Sequence, residues 1–402
     1  MLSPLMPNAN ELLGGHAPWV FDEEEAADLA LLHSIGVLGS MREQELVLFF
    51  RGELERDSDT PGDAEQFSVI YPARSGSGNV KSESAAHTTR RRLLNLVEAG
   101  QLCQATLERT TPENLAGRYY WLSGKGSRRL LGCGYQVRGR QSIDNMSHAG
   151  SVQDQHRLLE QQYLIARRLI NPSLRIWGEY AIRSGLAKRP VPAARGTKVP
   201  TVREQLVDMS GELYLTPKEL GDSRKPDTVP NRRHFTRRPD ALVLDEQSER
   251  NRYWDAVRIR SESKPAHFFG DIEWVEIEAS KKDAVTQARS FNGIFYLGRL
   301  LDATLERGLV TRFMLVTRNH PHTDLRGKLL SAYEHWLARS DVQAMLRKNS
   351  VLTRGFDLNR LNERLWVAEL TQDSEQRLTG LRLESIASIS LHQRQRSGLN
   401  AL

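Results

Sequence analysis

The chain has 402 residues, 39% of them apolar and 26% charged, with a mean hydropathy of −0.51; that length accommodates two or three domains of ~100–200 residues, and that composition excludes collagen, a long coiled coil and a fully disordered chain. No run approaches the ~20 apolar residues of a membrane helix, residues 1–21 lack the basic start and apolar core of a secretory signal, and two cysteines, Cys103 and Cys133, exclude a disulfide scaffold or a cysteine-built zinc site. The 56 Lys and Arg against 50 Asp and Glu give +6 and a pI near 9.3, a mild bias toward a polyanionic partner in a reducing, cytoplasmic setting.

The first elements read as helical. Asp22 is placed to cap a helix whose first turn, Glu23 to Glu25, suits the positive end of the helix dipole. Leu29, Leu31, Leu32, Ile35 and Val37 supply its apolar face. Ser40 is placed to cap a second helix, with Glu43 three residues on as its capping-box partner. Leu46, Leu48, Phe49 and Phe50 follow, and residues 51–84, rich in Gly, Ser, Asp and Pro, read as a loop or insertion.

The basic charge is concentrated next. From Lys81 to Arg140 there are eleven Lys and Arg against four Asp and Glu. A third helix is expected to start at Thr88 or Thr89 and to end at Gly100, with Arg90, Arg91 and Arg92 at its N-terminal end. Residues 102–107 and 118–122 alternate as two strands, and Ser123 starts a short helix carrying Lys125, Arg128 and Arg129. Three helices followed by a two-stranded wing is the order of a winged helix-turn-helix, whose recognition helix meets phosphates and base edges. Arg90, Arg91, Arg92, Arg118, Lys125, Arg128 and Arg129 are therefore the expected DNA contacts. A run of charge is also what a solvated helix face looks like, and a winged helix can serve as a protein-docking module instead.

Further along, residues 141–170 carry a polar segment and then a helix bearing His156. Residues 174–181 read as a strand or a helix end that includes Trp177, Gly178 and Glu179, and residues 186–238 are rich in Pro and Arg. Arg238-Pro239-Asp240 opens a short apolar strand, and residues 271–279 read Asp-Ile-Glu-Trp-Val-Glu-Ile-Glu-Ala. Alternate residues of a strand share a face, so Trp274, Glu276 and Glu278 are expected on one side. A helix over about 281–305 and a buried strand over 310–317 complete the series.

An Asp on one strand, an acidic pair on the next, then a helix and a strand resembles the core of the PD-(D/E)xK nuclease superfamily. The resemblance implies carboxylates at two strand ends holding Mg²⁺ or Mn²⁺. Asp240 and Glu276 match the acidic positions. Glu278 stands where that superfamily has Lys, which makes it a third ligand or a general base. Lys281 or Lys282 is then the neutralising cation, and Glu179 completes the acidic cluster from the preceding element. An acidic pair on a strand is otherwise a plain solvated face.

The whole arrangement resembles the plasmid replication-relaxation family, over roughly residues 25–320. Its upstream His and Glu would fall on His156 and Glu179, and its later helical Lys has Arg289 as nearest counterpart. The resemblance implies a metal-dependent DNA endonuclease or relaxase of a plasmid or integrative conjugative element. Its partners would be double-stranded DNA at an origin or regulatory site, and conjugation or replication proteins, with no membrane. The competing expectation is a non-catalytic initiator or transcriptional regulator with a degenerate nuclease fold. His320-Pro321-His322 has the His-x-His form of rolling-circle relaxases but reads as a loop, and Tyr180, Tyr214 and Tyr253 offer hydroxyl nucleophiles among which the sequence does not choose.

Residues 325–336 form an amphipathic pattern, 365–370 a strand, and 391–402 a frayed tail. The expected fold is α+β: a winged helix-turn-helix over 22–135, with 51–84 as its loop or insertion, a mixed-sheet nuclease-like domain over 150–370, and a C-terminal extension over 371–402.

Overall fold

A computed structural model describes residues 23–58, 64–72, 80–107, 116–133, 135, 152–183, 239–245, 271–278, 312–319, 325–340, 343–344 and 363–388. The fold is α+β, and the chain divides into two compact units. Unit 1 takes residues 1–57, 67–188 and 371–381, and unit 2 takes residues 58–66, 189–370 and 382–402.

Unit 1 begins with α1 (Glu23–Leu38), β1 (Met41–Arg42) and α2 (Glu43–Arg51). The hairpin β2 (Glu53–Arg56) and β3 (Glu65–Ile70) follows, then α3 (Val80–Glu98), β4 (Leu102–Leu107), β5 (Gly117–Leu122) and α4 (Gly124–Gly132). Beyond them lie α5 (Val152–Ile170), β6 (Leu174–Gly178) and α6 (Glu179–Arg183). Strand β5 is central in a three-stranded sheet, with β1 and β4 antiparallel on either side. Leu29, Leu32, Ile35, Leu46, Tyr120 and Tyr163 are fully buried and form much of the core. The apolar face read for α1 is buried as expected, since Leu29, Leu31, Leu32, Ile35 and Val37 are all inside. Ser123 caps α4 by accepting from the backbone amides of Lys125 and Gly126.

Unit 2 is built on a mixed sheet in the order β10-β9-β8-β7. These are β7 (Ala241–Asp245), β8 (Asp271–Ile277), β9 (Arg312–Arg318) and β10 (Leu365–Gln372). Strands β7 and β8 are antiparallel, whereas β8, β9 and β10 run parallel. Phe313 to Thr317 are buried without alternation, the pattern of a strand covered on both faces. Helix α7 (Leu325–Ala338) contributes Tyr333 and Trp336, stacked at 5.7 Å.

The turn between β10 and β11 (Leu378–Ser385) belongs to unit 1 although it lies more than 300 residues from α2. It is held by a buried polar junction. The Arg42 guanidinium pairs with Glu45 at 2.5 and 2.8 Å, both side chains being almost wholly inaccessible. Arg42 also donates to the Gln376 carbonyl at 2.9 Å, as does the Gln162 amide, and Gln162 donates to Glu45 at 3.2 Å. Gln372 completes the set by donating to Gln162 at 2.7 Å. Gln376 sits at φ 57°, and Asp373 stabilises the turn by accepting from the amides of Glu375 and Arg377, each at 2.9 Å.

Three local expectations change. Helix α3 starts at Val80 rather than Thr88, because no Gly or Pro interrupts residues 80–98, so Arg90 to Arg92 sit at mid-helix. The stretch read as a loop, 51–84, contains the β2–β3 hairpin, in which Glu53 to Arg56 pair with Ile70 to Phe67. Ser40 does not cap α2, because Met41 and Arg42 are drawn into pairing with Tyr120 and Tyr119, and Arg42 takes the N-cap position with no side-chain bond to the helix amides. The expected helix over 281–305 and tail over 391–402 lie outside the described residues.

Candidate metal centre and nucleic-acid interface

Helix α5 places His156 and Glu160 one turn apart on the same face. Strand β6 ends at Gly178, and Glu179 is the next residue. One ligand atom from each of His156, Glu160 and Glu179 lies within 4.8 Å of the others, the only group of three such residues among those described. Glu160 is buried, while His156 and Glu179 are partly accessible. One Glu160 oxygen accepts the Glu179 backbone amide at 2.8 Å, which fixes the two elements against each other. A Cβ at Gly178 would collide with that same oxygen, so glycine leaves Glu160 undisturbed there. Two carboxylates this close repel unless a proton or cation intervenes. One imidazole nitrogen with two carboxylates is a mixed donor set that fits Mn²⁺ or Zn²⁺ better than Mg²⁺, which prefers oxygen throughout.

Unit 2 carries the other acidic group. Trp274 donates its indole N–H to Glu276 at 2.7 Å, so these two side chains share a face as the alternation requires. Glu273, Glu276 and Glu278 are all buried, which removes the solvated-face reading of this strand. Glu273 pairs with Arg312 at 3.7 Å, and the Arg312 guanidinium also lies 4.3 Å over the Trp366 ring. Asp240 precedes β7, and its carboxylate accepts the Ile277 amide at 2.8 Å while its own amide donates to Val275 at 2.9 Å. The Glu278 amide donates to Val316 at 2.7 Å, extending the β8–β9 pairing by one residue. Asp240, Glu276 and Glu278 do not form a group with ligand atoms within 4.8 Å of one another. Lys281, Lys282, Arg289, His320, His322, Tyr214 and Tyr253 lie outside the described residues, and Tyr180 sits in α6 beside Glu179.

The basic residues of unit 1 divide into two kinds. Arg90 donates to Glu43 at 2.9 Å, and Arg118 lies 3.5 Å from the same carboxylate. Arg92 pairs with Asp28 at 3.2 Å, and Arg129 with Glu25 at 3.4 Å. Burial, only partly offset by Arg92, pushes the Asp28 carboxyl upward. Lys125 donates to the Ala99 carbonyl at 2.8 Å. Arg91 and Arg128 are exposed.

Sequence reasoning missed Glu160, although its position four residues after His156 on one helix was a usable signal. It also missed the pairing of the basic block with acids of α1 and α2. Comparison with protein-family models, with curated proteins and with solved structures found no match. No described helix is long and apolar enough to cross a membrane.

Proposed function

We propose that this is a DNA-binding protein of a plasmid or integrative conjugative element that nicks or relaxes DNA with a divalent metal. Unit 1 carries the reading. The order α1, β1, α2, α3, β4, β5 with the sheet β1-β5-β4 supports a winged helix-turn-helix, with the β2–β3 hairpin inserted between its second and third helices. Arg91 on α3 and Arg128 on α4 are exposed, as are Arg118 and Lys125. The strand sequence of unit 2, with Asp240 before one strand and Glu276 within the next, supports a nuclease-like half.

His156, Glu160 and Glu179 are the residues that would hold the metal. A bound divalent ion supplies Lewis acidity toward a phosphate oxygen and a more acidic water. The chain's own contribution is to hold Glu160 in place through the Glu179 amide and to keep that carboxylate away from bulk water.

The test has two parts. Removing Arg91 and Arg128 together should weaken duplex binding and flatten its dependence on log salt by about 0.9 per lost phosphate contact. Mn²⁺ should support nicking of supercoiled DNA carrying the element's origin, and Glu179→Gln, which removes one candidate ligand, should abolish nicking and leave binding intact. A second reading is favoured by Asp240 and Glu276, which direct carboxylate oxygens to the Ile277 amide and the Trp274 indole. On that reading the protein is a non-catalytic initiator or regulator. Site-specific binding with no nicking by either protein would select it.

A further inference from the structure

Glu43 is the point at which three potential anion donors of unit 1 meet. Arg90 from α3 reaches one carboxylate oxygen at 2.9 Å. The Tyr120 hydroxyl donates to the other oxygen at 3.2 Å, and Arg118 lies 3.5 Å from it. The pairing of Met41 with Tyr120 and of Arg42 with Tyr119 sets this arrangement, because Glu43 follows β1 directly. The slot opens to solvent at its arginines, with Tyr120 buried at its floor: the side chains of Arg90 and Arg118 are 43% and 44% exposed, and that of Glu43 is 22% exposed. Two guanidinium groups and a phenol hydroxyl converging on a carboxylate make the same donor set that a phosphate oxygen uses.

We propose that the Glu43 carboxylate is a built-in competitor for DNA phosphate, filling the Arg90–Arg118–Tyr120 slot until a backbone phosphate displaces it. This rests on the reading of unit 1 as a DNA-binding module. An incoming phosphate meets a site whose two cations are already half-neutralised, so non-specific binding is weakened. A duplex that places a phosphate in register must eject Glu43 to gain both arginines. The device therefore trades affinity for discrimination between seated and unseated DNA. Arg92 with Asp28 and Arg129 with Glu25 repeat the same masking nearby.

The test measures binding of a short mixed-sequence duplex over a range of salt by full-length wild type, Glu43→Gln and Glu98→Gln. Glu98, exposed at the end of α3, controls for the change in net charge. Glu43→Gln should bind roughly three- to tenfold more tightly than Glu98→Gln, with a salt slope steeper by up to about 1, since a released guanidinium gains a phosphate. The advantage should vanish when Arg90 and Arg118 are both replaced by Ala. Glu43→Asp, which keeps the charge but withdraws it from the arginines, should fall between wild type and Glu43→Gln, and gives the same answer if Glu43→Gln does not fold. If wild type binds and Glu43→Gln gains no more than Glu98→Gln, the competitor role is overturned and the DNA-binding reading stands. If none of these proteins binds duplex at low salt, both fall.

Discussion

The Glu160 carboxylate rests so tightly against Gly178 that a Cβ at residue 178 would have to displace it. Gly178→Ala should therefore push Glu160 aside and break its bond to the Glu179 amide. A loss of about 1–3 kcal/mol is expected, the range for strain and a broken buried hydrogen bond. Urea denaturation would measure it. An unchanged midpoint would show that Glu160 swings away at no cost.

The donor set around Glu160 leads to a metal prediction. Mn²⁺ should raise the unfolding temperature, with a stabilisation of about 2.7 kcal/mol at a concentration one hundred times its dissociation constant. EDTA should reverse the shift. His156→Ala and Glu179→Gln should each remove most of it, whereas Asp245→Asn, in unit 2 on β7, should leave it in place. A shift that survives both first variants would place the ion elsewhere.

Arg42 and Glu45 form a buried pair, so removing one partner should cost far more than removing both. Glu45→Ala strands a guanidinium in the core and is expected to lose about 3–5 kcal/mol. Arg42→Met with Glu45→Leu should lose less, although the Gln376 carbonyl and the Gln162 amide then lose donor and acceptor. Equilibrium unfolding of the three proteins decides it, and equal losses would mean that solvent reaches the pair.

His33 gives a pH dependence. Burial, aided by the positive charges of Arg175 and Arg168, lowers its imidazole pKa from 6.5 to about 4, and the ring lies 5.3 Å from that of Tyr135. The folded protein thus holds this ring neutral while the unfolded chain protonates it near pH 6.5. Its contribution to stability is complete above 6.5 and is lost as pH falls through 4. A shift of this size corresponds to about 3 kcal/mol, and the accessible part of the ring reduces that by screening. His33→Gln should flatten the stability profile between pH 6.5 and 5, where calorimetry can follow it. An identical profile in the variant would assign the slope to other groups.

Much of this fold could be read from residues alone. The strands at 102–107, 241–245, 271–277 and 312–318 announce themselves by alternation or by short apolar runs, and Ser123 marks the start of α4. Hairpin β2–β3 was hidden because its strand Glu53-Leu54-Glu55-Arg56 has one apolar residue in four, and its partner supplies the apolar side chains. The start of α3 was misplaced because Thr88 and Thr89 look like caps, yet Thr89 is buried within the helix. Of the candidate metal ligands, His156 and Glu179 were named from a resemblance. Glu160 lies one helical turn after His156, a local signal, but its approach to Gly178 and the Glu179 amide is a tertiary contact that no local pattern encodes. The pairing of Glu43 with Arg90 spans 47 residues, beyond the reach of any local pattern.

The turn at residues 373–376 reaches back across more than 330 residues to Arg42. A chain made from its N-terminus would ordinarily finish one domain before beginning the next. Here residues 1–188 emerge early but wait for residues 371–381 before Arg42, Glu45 and Gln162 gain their last partners. Until residues 371–381 are made, this polar core stands incomplete. A nascent chain stalled before residue 371 should stay sensitive to protease around α2 and α5, and emergence of residues 371–381 should act as the latch that makes the first unit resistant.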